Sequence, residues 1–359
     1  MGRKHISIDT IARLSGYSRA TVSRVIGNYG YVSEKARTRI KAVIKEHNYH
    51  PSGVARSMVS GKTHTIGLIQ TDIRNAFCSI TAKAIEDVII GHSYNLIICS
   101  SGESLEKEQQ SLDLLLEKQV DGLVLSPTVD MEGKFGTIFD EIIRYNLPAV
   151  CIDRPIPARF GIPAVTVDNF GGGYKAAKHV IDLGHRRIAV VTSRLPLPNV
   201  REREKGFYTA LDENSIGRMK GDRVEIFPTK SKTDLECKDF SLVDPGRFTA
   251  IFATANIFNV CALKWAGKLG YSIPEDISLV GFDDLLYWEF MSPQPSVIVQ
   301  PIARLGEQAA RILLRKIEKK DKEEDGSIVL PVTMKERYST RKLSPAESSG
   351  RNRRGAGVD

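Results

Sequence analysis

Basic side chains are concentrated at the start of the chain. The first 64 of its 359 residues hold twelve Lys and Arg against three acidic residues, a net charge of +9, while the whole chain carries +8. Clustered guanidinium and ammonium groups suit the neutralisation of phosphates with release of counterions. This segment therefore predicts a polyanionic partner for one lobe of the protein. A solvated charged face is the alternative interpretation of the composition alone.

Several enzyme and metal signatures are incomplete. SGKT at 60–63 has Arg56 where a phosphate-binding loop needs Gly, and DKEEDG at 321–326 has Val332 where a calcium loop needs its closing Glu. FGGGY at 170–174 is not GxGxxG, and a role in packing or turn formation is favoured. The five Cys lack metal-ligand spacing, so we expect reduced thiols, no metal and no cofactor.

One acidic pair leaves two interpretations open. Asp283 and Asp284 end an apolar run, where carboxylates could act in catalysis or accept hydrogen bonds from a polar ligand. No Ser/His/Asp or Cys/His combination is indicated elsewhere. We therefore predict that the protein is not an enzyme.

The first 50 residues predict three short helices. The first begins after Ser7 and stops at Gly16, the second begins after Ser18, and the third begins after Ser33. The helical spacing of the apolar residues predicts that all three helices contribute to one small core, with Ile8, Ile11, Ala12, Leu14, Val22, Val25, Ile26, Ile40, Val43 and Ile44. A short helix, a Gly-containing turn and a second helix indicate a helix-turn-helix headpiece.

From residue 65 onwards, apolar strands alternate with amphipathic helices. A first series of strands is predicted at 65–72, 94–101, 121–128 and 148–155, with helices near 79–91, 105–118 and 137–145. A second series comprises AVTVDN, RRIAVVTS, RVEIFPT, TAIFATA and ISLVGFDD. Such runs predict an α/β core of two doubly wound parallel-sheet subdomains, with a ligand cleft at the carboxyl ends of the strands. The polar, Gly- and Ser-rich residues 343–359 predict a disordered tail.

The stretch IDTIARLSGYSRATVSRVIGNYGYVSEKARTRIKAVIKEHNYHPSGVARSMVSGKTHTIGLI resembles the amino-terminal signature of the lactose-repressor (LacI/GalR) family of bacterial transcription regulators. VDGLVLSP, LGHRRIAVV and IPEDISLVGFDD extend the resemblance over roughly residues 5–340. It implies a headpiece at 1–50, a hinge helix or linker at 51–64, and an effector-binding and dimerisation core of periplasmic-binding-protein type at 65–342.

The resemblance also implies roles for residues of the headpiece. It places Arg19, Ala20 and Arg24 over base edges in the major groove, where Arg can bind guanine and Ala offers only methyl contact. Positions that hold the phosphate backbone are occupied by Thr21, Ser23, Lys35 and Tyr49. Gly27 stands where most members have Asn. In the hinge, Met58 is implied as the apolar side chain that enters the minor groove and kinks the operator.

For the core, the resemblance implies an effector cleft. The implied effector-binding residues are Asp72, Asn75, Phe77, Arg203, Asn256, Asp283 and Trp288. The forked guanidinium of an arginine and a carboxylate in one cleft suit a polyhydroxylated or acidic small molecule. An aromatic ring can stack on the face of a sugar.

We interpret the chain as a sequence-specific DNA-binding regulator, a repressor of carbohydrate or sugar-acid metabolism genes that is controlled by a small-molecule effector. The expected partners are a double-stranded, pseudo-palindromic operator, a sugar or sugar acid, and a second copy of the chain. Tetramers of the family carry an added carboxy-terminal heptad helix, and none follows Arg341, so the resemblance implies a dimer. No apolar run of about 18 residues indicates a membrane span, and a location in the bacterial cytoplasm at the nucleoid is expected.

Two other classes of protein share the predicted core. A solute-binding protein for transport has the same architecture, but the absence of a signal peptide and the basic headpiece argue against it. An NAD-type oxidoreductase would need the dinucleotide fingerprint that is missing. The sequence leaves open which ligand binds and whether it is an inducer or a corepressor.

Overall fold

A computed structural model describes residues 6–27, 29–49, 61–217, 222–229, 246–318 and 326–348. The chain divides into two compact units, Met1–Thr65 and Ile66–Asp359, called here the N-terminal unit and the C-terminal unit. The finer division into a headpiece at 1–50 and a hinge at 51–64 stays a prediction, because most of the hinge lies outside the described residues.

The described residues of the N-terminal unit form three helices, α1 (Ile8–Ser15), α2 (Arg19–Gly27) and α3 (Glu34–Glu46). Each begins after a serine whose hydroxyl accepts a hydrogen bond from the backbone N–H three residues later, at Ser7, Ser18 and Ser33. Gly16 ends α1 in the left-handed conformation with φ +77°. These starts and this stop agree with the predicted ones. Buried side chains from all three helices form the core of the unit: Ile11, Val22, Val25, Ile40 and Val43.

The described residues of the C-terminal unit form two six-stranded sheets. The first has the order β11-β5-β4-β3-β1-β2 and the second the order β12-β10-β9-β8-β6-β7. The strands are β1 (Thr65–Gln70), β2 (Asn95–Ser100), β3 (Gly122–Leu125), β4 (Ala149–Ile152), β5 (Ala164–Val167), β6 (Arg187–Ser193), β7 (Arg223–Thr229), β8 (Ala250–Ala253), β9 (Ser278–Phe282), β10 (Ser296–Val299), β11 (Ile328–Leu330) and β12 (Thr333–Lys335). β12 pairs antiparallel with β10, whereas β6, β8, β9 and β10 run parallel.

Helices cover these sheets. They are α4 (Ala76–Ile90), α5 (Leu105–Glu117), α6 (Ile138–Arg144), α7 (Asn169–Asp182), α8 (Pro198–Glu213), α9 (Asn256–Leu269), α10 (Ile302–Glu318) and α11 (Pro345–Ser348). α10 packs against α4 and the first sheet, while α7 packs against α8 and the second sheet. Two doubly wound subdomains result, one around each sheet, as the sequence predicted.

The assignment of strands to subdomains needs one correction. AVTVDN was predicted in the second series, but β5 lies in the first sheet, between β4 and β11. The chain crosses between the sheets three times: after β5, after β10, and between β11 and β12. Strand spacing along the sequence does not reveal such crossovers. The short strands β10, β11 and β12 were not predicted.

Two glycines, Gly173 in the FGGGY motif of α7 and Gly206 in α8, allow these two helices to approach closely. A Cβ on Gly173 would collide with the carbonyl oxygen of Arg203, and a Cβ on Gly206 would collide with that of Phe170. The Gly-rich motif therefore serves packing, and it sets the position of the helix that carries Arg203.

Two further expectations are corrected. Leu343 is buried and its N–H donates to the carbonyl oxygen of Leu183, and α11 follows at Pro345–Ser348, so the ordered chain extends beyond the predicted start of a tail at 343. Cys261 is disulfide-bonded, whereas Cys78, Cys99 and Cys151 are free thiols. Within the described ranges, no helix combines the length and apolar character needed to cross a membrane.

Candidate DNA-contacting surface and candidate effector cavity

One face of α2 is turned away from the core of the N-terminal unit. Val22 and Val25 are buried in that core, which leaves Arg19, Ala20 and Arg24 exposed on the remaining faces of the helix. Arg19 and Asp9 form an ion pair of 3.7 Å between largely exposed side chains, and such a pair contributes little to stability. Arg19 can therefore leave Asp9 to bind a partner.

The other predicted headpiece contacts lie on the same unit. Thr21 lies in the first turn of α2, where its N–H donates to Ser18 Oγ over 3.1 Å. Ser23 Oγ lies 2.8 Å from the hydroxyl of Tyr29, a residue that the sequence interpretation did not select. Lys35 is exposed in the first turn of α3. Tyr49 packs against the core, and partial burial raises the pKa of its phenol. Met58 lies outside the described residues.

In the C-terminal unit, a cavity of about 440 Å³ lies where the carboxyl ends of strands from both sheets meet. Six of the seven residues predicted to bind an effector line it together: Asp72, Asn75, Phe77, Arg203, Asn256 and Asp283. The structure adds Glu103, Asp153, Arg154, Asn199, Tyr287 and Gln300. Asp153 and Arg154 directly follow β4, so the strand-end rule that selected Asp72 could have found them.

The predicted role of Trp288 is wrong. Trp288 is fully buried in the hydrophobic core, where its Nε1–H donates to the backbone carbonyl of Asp283 over 2.9 Å. The 3₁₀ turn Leu286–Phe290 turns its neighbour Tyr287 towards the cavity instead. An aromatic face for a ligand is therefore offered by Phe77 and Tyr287.

The Asp283 carboxylate is held by two side-chain amides. Asn256 Nδ2 donates to its Oδ2 over 2.8 Å, and Gln300 Nε2 donates to its Oδ1. Burial raises the pKa of Asp283 above its usual value, although the nearby charge of Arg203 opposes this change. Gln300 Oε1 is buried without a hydrogen-bond partner among the described residues. An acceptor left unpaired at a cavity wall is suited to a ligand hydroxyl.

Arg203 on α8 is also buried, and its guanidinium is fixed from several sides. Its Nε donates to Asn169 Oδ1 over 2.8 Å and its Nη1 donates to the carbonyl oxygen of Thr254 over 2.7 Å. The guanidinium carbon lies 3.8 Å from the centre of the Phe282 ring. Burial lowers the pKa of Arg203, while Asp283 opposes the change. Nη2 makes no hydrogen bond within the described part of the chain, so its two N–H groups remain for a ligand.

The first subdomain contributes a buried ion pair to the opposite wall. Arg154 donates to both carboxylate oxygens of Glu103, over 2.9 and 2.6 Å, and to the carbonyl oxygen of Pro127 over 2.7 Å. Burial alone would lower the pKa of Arg154, but the Glu103 carboxylate raises it, so the guanidinium remains charged. At the rim, Arg74 binds Asp72 through Nε and Nη2.

The charges that line the cavity balance. Four carboxylates, of Asp72, Glu103, Asp153 and Asp283, face four cations, of Arg74, Lys107, Arg154 and Arg203. Histidine is missing from the described lining, and its serines lack an adjacent base of the kind that activates a nucleophile. The arrangement suits hydrogen-bonded capture of a small polar molecule rather than bond cleavage. No group of three His, Cys, Asp or Glu within the described ranges is placed to hold a metal ion.

Comparison with known proteins gives consistent matches for both units. Residues 7–52 match the family described as bacterial regulatory proteins, lacI family, and residues 177–340 match the periplasmic binding protein-like domain. The chain is 30% identical over 339 residues to the HTH-type transcriptional regulator DegA of Bacillus subtilis, which covers 94% of this chain and 99% of that protein.

Two further proteins similar to this chain have ribose in their descriptions. The ribose operon repressor of Haemophilus influenzae is 34% identical over 308 residues, covering 86% of this chain and 91% of that protein. The crystal structure of a LacI family transcriptional regulator from Enterococcus faecium with bound ribose is 30% identical, with a TM-score of 0.67, and covers 78% of this chain and 100% of that one.

Proposed function

This chain belongs to the lacI family of bacterial regulatory proteins, and we propose that it contacts its operator through the exposed face of α2 and responds to a neutral sugar in the cavity of the C-terminal unit. Like its relatives, it is a DNA-binding transcription regulator and not an enzyme. The exposed arginines of α2 and the charge-balanced cavity support the two parts of the proposal.

The proposed contacts to DNA follow from side-chain chemistry. Arg19 and Arg24 bind guanine edges in the major groove, where a guanidinium can donate to O6 and N7 together, and Ala20 contacts an apolar base edge. The backbone phosphates are held by Thr21, Ser23, Lys35 and Tyr49. Met58 enters the minor groove at the centre of the operator. A homodimer presents two such surfaces to the two halves of a pseudo-palindrome.

The observation that carries the effector proposal is the polar pattern of the cavity. Arg203 Nη2 supplies a free donor, Gln300 Oε1 a free acceptor, and the four lining carboxylates are matched by four cations. A sugar acid would add an unbalanced charge, whereas a neutral sugar would not. The volume of about 440 Å³ is within the range of small-molecule sites. Because a relative is named a ribose operon repressor and another holds ribose, a pentose is the first candidate.

Thermal unfolding with added ligand tests this proposal. D-ribose, other pentoses, hexoses, and ribonate as the acid analogue would be compared at equal concentration. A sugar at 100 times its Kd stabilises the folded state by about 2.7 kcal/mol, which is readily detected. We expect the neutral pentoses to raise the unfolding temperature and ribonate to leave it unchanged. A larger effect of ribonate than of any neutral sugar would contradict the proposal.

The remaining parts of the proposal concern the regulated genes and the location of the protein in the cell. We propose that the protein represses genes of carbohydrate metabolism, acting as a homodimer on nucleoid DNA in the bacterial cytoplasm. A chromatin immunoprecipitation experiment would show enrichment at a few palindromic sites beside such genes. Uniform recovery of the whole genome would contradict sequence-specific repression.

A further inference from the structure

The turn that follows α2 folds back onto this helix. The Tyr29 N–H donates to the carbonyl oxygen of Arg24 over 3.1 Å, and the Tyr29 hydroxyl lies 2.8 Å from Ser23 Oγ. Ser23 is four residues after Arg19 and three after Ala20, so the three side chains share one face of the helix. The Tyr29 hydroxyl therefore lies at the proposed DNA-contacting face, although its residue lies outside α2.

Glycine at position 27 makes this fold-back possible. A Cβ on Gly27 would lie 2.5 Å from both Cδ1 and Cε1 of Tyr29, closer than real Cβ contacts allow. The aromatic ring thus lies directly against the backbone of the last residue of α2. Gly30 has φ +67°, and a Cβ there would lie 3.5 Å from Arg24 Cδ, so the turn also packs beside the stem of Arg24. The positions of Tyr29 and Arg24 are set by the same turn.

The two hydroxyls form a pair with one proton to spare. Each hydroxyl carries one donor, and the bond between them uses only one of the two. The Tyr29 side chain is exposed, and 42% of its surface is accessible, so the remaining donor can reach a partner outside the protein. The neighbouring charges are the cations of Arg19 and Arg24 and the carboxylate of Asp9, which pairs with Arg19 at 3.7 Å between exposed side chains. Two nearby cations favour an anionic acceptor for this donor, and in a DNA complex the anionic acceptors are the backbone phosphates.

We propose that Tyr29 is a DNA-contacting residue, whose hydroxyl together with that of Ser23 binds one backbone phosphate in each operator half-site. This inference rests on the proposed use of the α2 face for DNA. It adds a contact from the turn after the helix, and that contact fixes how α2 lies along the groove. Gly27 is required indirectly, because a side chain there would displace the ring.

The test uses the full-length protein and a duplex that the wild type itself selects from a randomised palindromic library. Tyr29→Phe removes only the hydroxyl, and we expect about a tenfold loss of affinity for the selected duplex, the usual size for a hydrogen bond to a charged group. The slope of affinity against salt should not change, because no cation is removed. Tyr338→Phe, which removes an exposed hydroxyl from the C-terminal unit, is the matched control and should bind as the wild type does.

A scan of single methylphosphonates along the duplex then locates the contact. At one phosphate in each half-site, neutralisation should weaken the wild type but leave Tyr29→Phe almost unaffected, so that the two proteins bind equally there. Gly27→Ala should give the same loss and the same insensitive phosphate, with an unchanged far-UV circular dichroism spectrum. Binding of Tyr29→Phe within twofold of wild type, or equal losses for both proteins at every phosphate, would overturn the inference. Failure of the wild type to select any duplex would instead refute the proposed function.

Discussion

The side-chain amide of Asn199 donates a 2.9 Å hydrogen bond to Asp153 Oδ2, which joins α8 of the second subdomain to the end of β4 in the first. A second bond between the subdomains runs from Asn256 Nδ2 to Asn75 Oδ1 over 3.0 Å. All four residues line the cavity. A ligand that changes DNA binding must favour one arrangement of the subdomains over another, and these bonds stabilise the arrangement seen here.

Asn199→Ala should therefore destabilise the C-terminal unit. The substitution removes the amide donor from a buried carboxylate, and we expect a loss of about 1–3 kcal/mol in the free energy of unfolding. Urea denaturation at neutral pH measures the change. Glu202→Ala lies on the same helix but removes only an exposed ion pair of 3.8 Å with Lys205, so it should change stability by less than about 0.5 kcal/mol. Equal unfolding midpoints for the two variants would contradict the role of the Asn199 bond.

Arg203 should prove structural as well as ligand-binding. Substitution by Met would leave Asn169 and Thr254 without their donor and Asp283 without the nearest buried cation. We expect a loss of about 3–5 kcal/mol, because two buried hydrogen bonds from a charged donor are lost, each worth about 1.5–3 kcal/mol, and Asp283 loses a nearby positive charge. The double variant Arg203→Met/Asp283→Asn should recover part of the loss, and Asn tolerates the φ of +74° at position 283. Equal stabilities of the single and double variants, measured by urea denaturation, would refute the charge coupling.

The headpiece could be predicted closely because its signals are local. The hydroxyls of Ser7, Ser18 and Ser33 cap helices within three residues. The apolar spacing identifies most of the buried face, but Leu14, which was predicted in the core, is 38% exposed. The fold-back of Tyr29 onto Ser23 was missed. It depends on the absence of a side chain at Gly27, and helical periodicity carries no information about the turn that follows.

The cavity could be predicted only in part. Asp72 and Asp283 follow strands, and strand ends meet at one edge of a parallel sheet. The bonds Arg154–Glu103 and Asn199–Asp153 join residues 51 and 46 positions apart, and no sequence pattern pairs them. Trp288 was misplaced because a 3₁₀ turn decides which of two adjacent aromatic rings faces the cavity. The position of β5 in the first sheet depends on where the chain crosses between the two sheets, and residue composition does not predict these crossovers.

Glu108 should make the stability of the C-terminal unit depend on pH. Its carboxylate is buried on α5, accepts the Thr128 N–H over 2.7 Å, and lies near Arg154, Glu103 and Cys151. Burial raises the pKa of Glu108 to about 7. The folded state thus keeps a proton that the unfolded state loses from about pH 4.5 upwards. Its contribution is fully favourable below this pH and is lost as the pH rises to about 7.

Glu108→Gln isolates this effect, because the amide oxygen can still accept from Thr128. Relative to wild type, the variant should gain about 3 kcal/mol at pH 8 and almost nothing at pH 4.5. The comparison with wild type is needed because burial lowers the pKa of His185 to about 4, which acts in the opposite direction over part of the range. Glu106→Gln, at an exposed position of the same helix, is the control. Urea denaturation at both pH values decides; a constant difference between Glu108→Gln and wild type would refute the titration of Glu108.

Arg24 and Lys35 should differ in how they contribute to DNA binding. If Arg24 binds a guanine edge, Arg24→Ala should lose about 1–3 kcal/mol on the selected duplex but much less on random DNA. Lys35 is exposed in the first turn of α3, and a phosphate contact there would be lost equally on both DNAs. Lys35→Ala should also reduce the slope of log affinity against log salt by about one. Fluorescence anisotropy titrations over a series of salt concentrations measure both quantities. Equal losses of Arg24→Ala on selected and random DNA would show that Arg24 contacts the backbone and not the bases.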